Sequence, residues 1–325
     1  MARRIAIIGA GLAGLTVARA LAGTAAVTLF EKSRGPGGRM AHRSRDGFEA
    51  DHGAQYFTAR SPTFRDLVAA AEAAGAVAPW TVDLVRLPDR EERPSHASEP
   101  RYVGTPGMNG LAAFLAEGLD LRRETEISAI EGSARRWTLR DKTGAAHGPF
   151  DVVVAAVPAP QAARLLPKVS PLQAPLAAAR MSGCFTLMVG LVAPLDLPVE
   201  AARIDHPVLS FLARNTSKPG RGPAESWVAH SRNDWAEAHL EVDRATIEAR
   251  MLAALKELTG LDLSAPPWLD LHRWRYANVE HPAGLPHLLD ADQGLAACGD
   301  WCRANRVEAA FESGESLAAA LSDLS

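Results

Sequence analysis

Ile5-Ala6-Ile7-Ile8-Gly9-Ala10-Gly11-Leu12-Ala13-Gly14-Leu15-Thr16-Val17-Ala18-Arg19-Ala20-Leu21, followed by Ala26-Val27-Thr28-Leu29-Phe30-Glu31, reads as strand, Gly-x-Gly-x-x-Gly turn, helix and second strand closed by a carboxylate. Each part has a task on a dinucleotide. Gly9 makes the tight turn, Gly11 lets backbone approach a pyrophosphate, and Gly14 lets helix and strand pack closely. The helix N-terminus adds free N–H donors and a positive dipole end. Glu31, about twenty residues beyond the turn, is placed to accept from ribose hydroxyls. A secretory signal is the rival reading, because Arg3 and Arg4 precede the apolar run and Ala20-Leu21-Ala22 resembles a cleavage site. Three glycines and Arg19 interrupt that run, so the dinucleotide reading is preferred. With no other apolar stretch long enough to span a bilayer, a cytoplasmic protein without a membrane partner is expected.

A chain of 325 residues, 47% of them apolar, can bury a large core divided between two lobes. Its net charge of −3 and the lack of a long basic block argue against nucleic acid. Cys184, Cys298 and Cys302 are too few and too scattered for a disulfide framework, and none forms Cys-x-x-Cys. The histidines show no His-x-x-x-His pair with a nearby Glu, so no metal site is expected. Nothing marks a protein-partner surface.

Further along, Lys32–Met40 is too glycine-rich for regular structure, and Arg39 is within reach of a pyrophosphate. Ser61-Pro62 opens a helix that Gly75 closes, and another follows Pro106 with Leu111, Phe114 and Leu115 on one face. Residues 80–100 read as a charged, proline-rich surface excursion. Strands are predicted over 126–130, 136–141 and 150–157, with Asp141-Lys142-Thr143-Gly144 as a turn between the last two. Longer strands follow at 184–192 and 226–231, then a helix from an Asp243 cap to Thr259, ended by Gly260. Leu295–Asp300 is a short strand closing on Gly-Asp, and a helix runs over 307–321. The predicted fold class is α/β (α+β, two-domain): a Rossmann-like nucleotide-binding domain from 1–57, 101–165 and 270–325, with an inserted mixed-sheet substrate domain from 58–100 and 166–269.

Gly299-Asp300, between a strand and a helix, sits where many flavoproteins hold the ribityl chain. A helix starting near Val307 is placed to aim its N-terminus at the flavin N1–C2=O edge, where positive dipole favours the anionic reduced ring. Together with the opening motif and Gly37-Gly38-Arg39, these features point to FAD, held non-covalently because no cysteine sits in a covalent-flavin context.

Lys32-Ser33-Arg34-Gly35-Pro36-Gly37-Gly38-Arg39-Met40, Gly53-Ala54-Gln55-Tyr56-Phe57-Thr58-Ala59-Arg60, Val103-Gly104-Thr105-Pro106-Gly107-Met108, Arg273-Trp274-Arg275-Tyr276-Ala277 and Cys298-Gly299-Asp300-Trp301-Cys302 resemble the bacterial renalases, within the amine-oxidase-type flavoproteins. So do Pro158–Ala162, Leu212–Pro219 and Arg306–Phe311. The resemblance implies a p-hydroxybenzoate-hydroxylase-like fold. It also implies oxidation of isomeric dihydronicotinamide dinucleotides (2- or 6-dihydroNAD(P)) to β-NAD(P)+, with dioxygen as acceptor and hydrogen peroxide as product. Through it Gly9, Gly11, Ala13, Gly14, Glu31, Lys32, Gly38, Arg39, Met40, Gln55, Tyr56, Phe57, Gly299 and Asp300 become FAD contacts. Ile127 would lie near the adenosine, and Val307, Glu308, Ala309 and Ala310 at the flavin ring.

A dihydronicotinamide pushes its own hydride out, so the reaction needs orientation more than a general base. Asn215, His230, Trp235 and Tyr276 are candidates for placing the substrate, with Arg214 as an anion contact. Core packing for His230 and Tyr276, and a solvated basic loop for Arg214, Lys218 and Arg221, remain open alternatives. So do three other functions: amine oxidation, flavin-dependent isomerisation and a flavin redox sensor without turnover.

Overall fold

The computed structural model describes residues 2–87, 99–194, 197, 199–260, 263 and 265–323. Strand Arg4–Ile8 pairs in parallel with Ala26–Phe30 on one side and Val152–Ala155 on the other. The complete sheet runs Leu288–Asp290, Leu295–Ala297, Val152–Ala155, Arg4–Ile8, Ala26–Phe30, Asp120–Arg122. Only the first of these strands is antiparallel to its neighbour. Side chains alternate between two separate cores, as a sheet covered on both faces requires. Ile5, Ile7, Val152 and Val154 enter one core, and Ala6, Ile8, Val153 and Ala155 the other.

Helix Leu12–Leu21 lies on the first of these faces, brought close by its glycine. A Cβ at Gly14 would stand 2.1 Å from the Gly9 carbonyl oxygen. The outer side of this helix packs on helix Val307–Asp323, again across a glycine: a Cβ at Gly314 would lie 2.6 Å from Ala13 O. Segments far apart in sequence thus share one core.

A three-stranded antiparallel sheet of Ile127–Ser133, Arg136–Asp141 and Ala146–Phe150 sits beside it. The expected turn forms at Asp141–Gly144, where Asp141 Oδ1 accepts from Thr143 N and Ala145 N. It leads, however, into Ala146–Phe150, not into the apolar run. That run is restricted to Val152–Ala155, and a strand over 150–157 is corrected accordingly.

The second large sheet runs Trp268–His281, Arg180–Gly190, Ser226–Ser231, Leu209–Arg214, Ala201–Ile204, Leu84–Leu87. It is antiparallel except for its final pair. Helix Arg244–Thr259 covers its outer face through Ile247, Met251, Ala254 and Leu255. Asp243 caps this helix by accepting from Thr246 N at 2.9 Å, and Gly260 ends it in the left-handed region at φ 68°. Two expected boundaries shift. Residues 270–281 belong to this sheet, and helix Pro62–Ala73 buries Phe64, Val68 and Ala71 in the nucleotide-side core. Of the expected surface excursion at 80–100, residues 88–98 lie outside the described residues. Among the described residues no helix is long and apolar enough to cross a membrane.

Candidate functional site

A continuous cleft of about 2280 Å³ runs from the Gly9–Gly11 turn to the inner face of the second sheet. Pockets for one drug-sized ligand hold ~300–1,000 Å³, so this cleft has room for a dinucleotide cofactor and a substrate together.

The nucleotide end is built by two backbone excursions. Gly9 takes φ 103°, and a Cβ there would meet Ala156 O at 2.6 Å. At Gly11 an added Cβ would meet nothing within 4 Å; this position faces open space beside helix Leu12–Leu21, whose N-terminus has no side-chain cap. The Lys32–Met40 loop folds back over the turn, with Gly37 N donating to Ala10 O and Gly37 bridging to Gly11. Glu31 is buried at the end of its strand. Its Oε2 accepts from Ala10 N at 2.9 Å and its Oε1 from Ser33 N at 2.8 Å. Each oxygen keeps a lone pair for a ribose hydroxyl. Uncapped donors, a glycine with open space and a fixed carboxylate are the set that the ADP half of FAD requires. The residues fit the group.

Arg39 and Asp300, both expected at the cofactor, are joined to each other. Arg39 donates to the two Asp300 carboxylate oxygens at 2.8 and 2.5 Å, and to Ala277 O at 3.0 Å. The forked pair ties the glycine loop to the end of the first sheet and to the second sheet, at the waist of the cleft. Glu308 opens the Val307–Asp323 helix. Burial pushes its carboxyl up, but the N–H of Ser61 leads the hydrogen bonds that outweigh this and hold it below the usual range. Its Oε1 accepts from Arg60 N and Ser61 N. This acid therefore fastens the 60–61 segment to the helix.

Of the expected cofactor contacts, Gly9, Gly11, Ala13, Glu31, Lys32, Gly38, Arg39, Met40, Gln55, Tyr56, Phe57, Ile127, Gly299, Asp300, Val307, Glu308 and Ala310 all border the cleft. Gly14 and Ala309 do not. Both are buried beneath its surface, and Gly14 sets the close packing of its helix on the strand.

The substrate candidates divide. His230 and Tyr276 face the cleft; Asn215, Arg214 and Trp235 do not. Arg214 is held by Glu225 through a two-toothed pair, with Nε–Oε1 and Nη2–Oε2 both at 2.9 Å. Trp235 packs edge-on against Phe185 and stacks on His239. Asn215 is fully buried: its Oδ1 accepts from Asp51 N, and its Nδ2 donates to Glu49 O, each at 3.0 Å. An apolar strand leading into Asn215 was a sound signal for a fixed amide, but it is strand Phe48–Asp51 that takes both ends of that amide.

Beneath the floor, Asp51, Lys218 and Arg221 form an ion cluster with fully buried side chains. Asp51 Oδ2 accepts from Lys218 Nζ at 2.9 Å and from Arg221 Nη2 at 2.6 Å. Its Oδ1 lies 3.0 Å from His42 Nδ1 and accepts from Met108 N. Burial pushes this carboxyl up, but Lys218, the His42 hydrogen bond and Arg221 together hold it far below the carboxylate range. No motif announced Asp51, so only its partners reveal it. Lys218 and Arg221 are thus removed from any direct substrate contact.

This cluster sets the state of His230. Lys218 Nζ donates to Asp51 Oδ2, Asn215 Oδ1 and Gln55 Oε1, which uses all three ammonium hydrogens. Gln55 Nε2 then lies 3.3 Å from His230 Nε2. The two amide hydrogens go to Asp51 O at 2.6 Å and Gly53 O at 3.0 Å, so Gln55 is locked against the imidazole edge. Burial, with Lys218 nearby, lowers the imidazole pKa to about 4, in keeping with a neutral ring. His230 is therefore a positioned neutral imidazole. A second aromatic group lies alongside: His52 stacks on Trp274 with ring centres 5.4 Å apart, and both touch His272. Burial lowers His52 to about 3 and His272 to about 4.

Comparison with known proteins agrees with this architecture. Residues 7–71 match a family described as NAD(P)-binding Rossmann-like domain. A protein from Exiguobacterium sp. 255-15, provisionally described as a protoporphyrinogen oxidase, superposes at TM-score 0.76 with 15% identity over 99% of both chains. Putrescine oxidase, in its wild type bound to putrescine, superposes at TM-score 0.65 with 15% identity, again over 99% of each chain. Likeness at that identity carries the fold alone. Residues 84–322, well over half the sequence, match the family described as flavin containing amine oxidoreductase. A cleft fitted to the ADP half of FAD and a family match of that extent lead to one conclusion: the chain is a flavin-dependent oxidoreductase with non-covalently held FAD, and it belongs to the flavin containing amine oxidoreductase family.

Proposed function

We propose that this oxidoreductase removes a hydride from isomeric dihydronicotinamide dinucleotides, 2- or 6-dihydroNAD(P), giving β-NAD(P)+, with dioxygen as final acceptor and hydrogen peroxide as the second product. The observation that carries this reading is the charge of the cleft. Its walls hold thirteen lysines and arginines against five acidic residues, in a chain whose net charge is −3. A cavity lined by one sign of charge concentrates ligands of the other sign. Phosphate-bearing substrates are favoured, and a protonated amine is repelled.

FAD, when bound, supplies the hydride acceptor. The chain's own part is placement. Lys32, Arg34 and Arg39, with the uncapped Leu12–Leu21 helix, are the groups that would hold the cofactor's phosphates. His230, kept neutral at the cleft wall, is the polar group that would bond a carboxamide or ribose. Tyr276, whose hydroxyl accepts from Arg164 at 3.0 Å, forms another wall. No general base is needed, because the ring nitrogen of the substrate expels the hydride.

Amine oxidation is the second reading, supported by the family's description and the putrescine oxidase fold. Anaerobic mixing separates the two. Loss of the visible flavin band with 6- or 2-dihydroNAD, and none with a diamine, is the expected result; bleaching by amines alone overturns the proposal.

A further inference from the structure

One transverse row of the second sheet faces the cleft from end to end. His272 is the register partner of Thr186, Thr186 of His230, His230 of Phe211, Phe211 of Arg203, and Arg203 of Arg86. All six border the cleft. The row passes from imidazoles through an aromatic ring to two exposed guanidinium groups. Side chains in register on adjacent strands share a face, and like charges so placed repel. Among the described residues Arg86 and Arg203 have no acidic partner, whereas Arg39, Arg43, Arg60 and Arg214 each have one. Nearby, Arg101 lies over Tyr56, which packs against Phe211.

Two adjacent arginines at one end of a substrate cleft, neither with an acidic partner among the described residues, are relieved by an anion between them. We infer that Arg86 and Arg203 clamp the 5′-phosphate of the substrate's nicotinamide-bearing half, while its ring lies by Phe211 and His230. This assignment rests on the dihydronicotinamide reading above and names the residues that recognise its charge. The spacing suits it. Strands stand about 4.8 Å apart, so the Arg203 and Arg86 backbones lie about 10 and about 14 Å from that of His230. One ribose and two extended arginine side chains bridge such a gap. A forked guanidinium pair also matches phosphate geometry better than a point charge does.

The test uses the FAD-loaded protein and oxidised ligands, so no turnover is needed. Nicotinamide mononucleotide and nicotinamide riboside, which differ by the phosphate, are titrated against the visible spectrum of the bound flavin. The wild type is expected to bind the mononucleotide at least tenfold more tightly, with the preference shrinking as NaCl is raised. In the R86Q/R203Q double variant the ratio is expected to fall to near one, with riboside affinity and FAD content unchanged. Both side chains are exposed, so folding is preserved, and an unshifted thermal transition checks this. A wild type without preference, or a preference that survives in the double variant, overturns the clamp. The two proposals fail separately. A flavin that dihydroNAD does not bleach, with the phosphate preference still lost in the variant, strikes only the oxidase reading. Bleaching together with a surviving preference strikes only the clamp.

Discussion

Asn215 and Glu31 show how far a single residue can be read before its neighbours are known. Glu31 stands where the strand–turn–helix pattern puts it, because the chemistry at that point is local. Glu31→Ala is expected to weaken FAD binding by roughly 1.5–3 kcal/mol, the scale of hydrogen bonds to a charged group. Titration of the stripped protein with FAD measures this, and unchanged affinity would remove Glu31 from the site. Asn215 is the opposite case. Its partners Glu49 and Asp51 lie more than 160 positions away in sequence, so no window of sequence shows that its amide is already committed. Asn215→Ala is therefore expected to lower stability by about 1–3 kcal/mol, the cost of leaving buried groups such as the Asp51 N–H unsatisfied. Denaturant unfolding reads this out. Slower flavin reduction with unchanged stability would return Asn215 to the substrate. Asp51 itself, the centre of the ion cluster, was illegible in sequence for the same reason.

At the level of elements, local signals served best where capping and turn chemistry act within a few residues. The Asp243 cap, the Gly260 stop, the Ser61-Pro62 start and the Asp141 turn all stand where their residues predict. Long-range pairing was harder. The Trp268–His281 strand has a neighbour across the sheet in Arg180–Gly190, and nothing within its own alternation tells which sheet it will join. The opening βαβ unit also shows how tightly two elements can be specified. Gly14→Ala would drive a methyl into Gly9 O and Ala156 Cβ, 2.1 and 3.0 Å from the added carbon. Strand and helix must then part, at a cost of about 1–3 kcal/mol typical of overpacking. The expected outcome is a lower melting temperature together with loss of FAD during purification. A variant that keeps both would show that the helix adjusts freely.

For the whole molecule, the buried titratable groups act in one direction. His52, His230 and His272 keep neutral rings in the fold down to about pH 3, 4 and 4, whereas in the unfolded chain they protonate near pH ~6.5. Between these limits the unfolded state binds more protons, so stability rises with pH and falls on acidification. Asp51, depressed in the fold, adds a loss of the same sign below the unfolded carboxylate value of ~3.9. Urea midpoints at pH 7.5 and pH 5 test this: a lower midpoint at pH 5 is expected, and equal midpoints would mean the imidazoles are not neutral inside. The architecture of two sheets and a cleft between them was readable in outline because its opening and closing motifs are local. The charge of that cleft was not, since its arginines come from loops, strands and a helix scattered across the sequence.

The Leu12–Leu21 and Val307–Asp323 pairing has a consequence for biosynthesis. The first helix leaves the ribosome about 290 residues ahead of the one that covers it. At ~5–20 residues per second that is about fifteen seconds to a minute. Throughout that interval the nascent polypeptide exposes a greasy flank and cannot retain its vitamin-derived coenzyme, so holdase chaperones have a defined time window and a defined target.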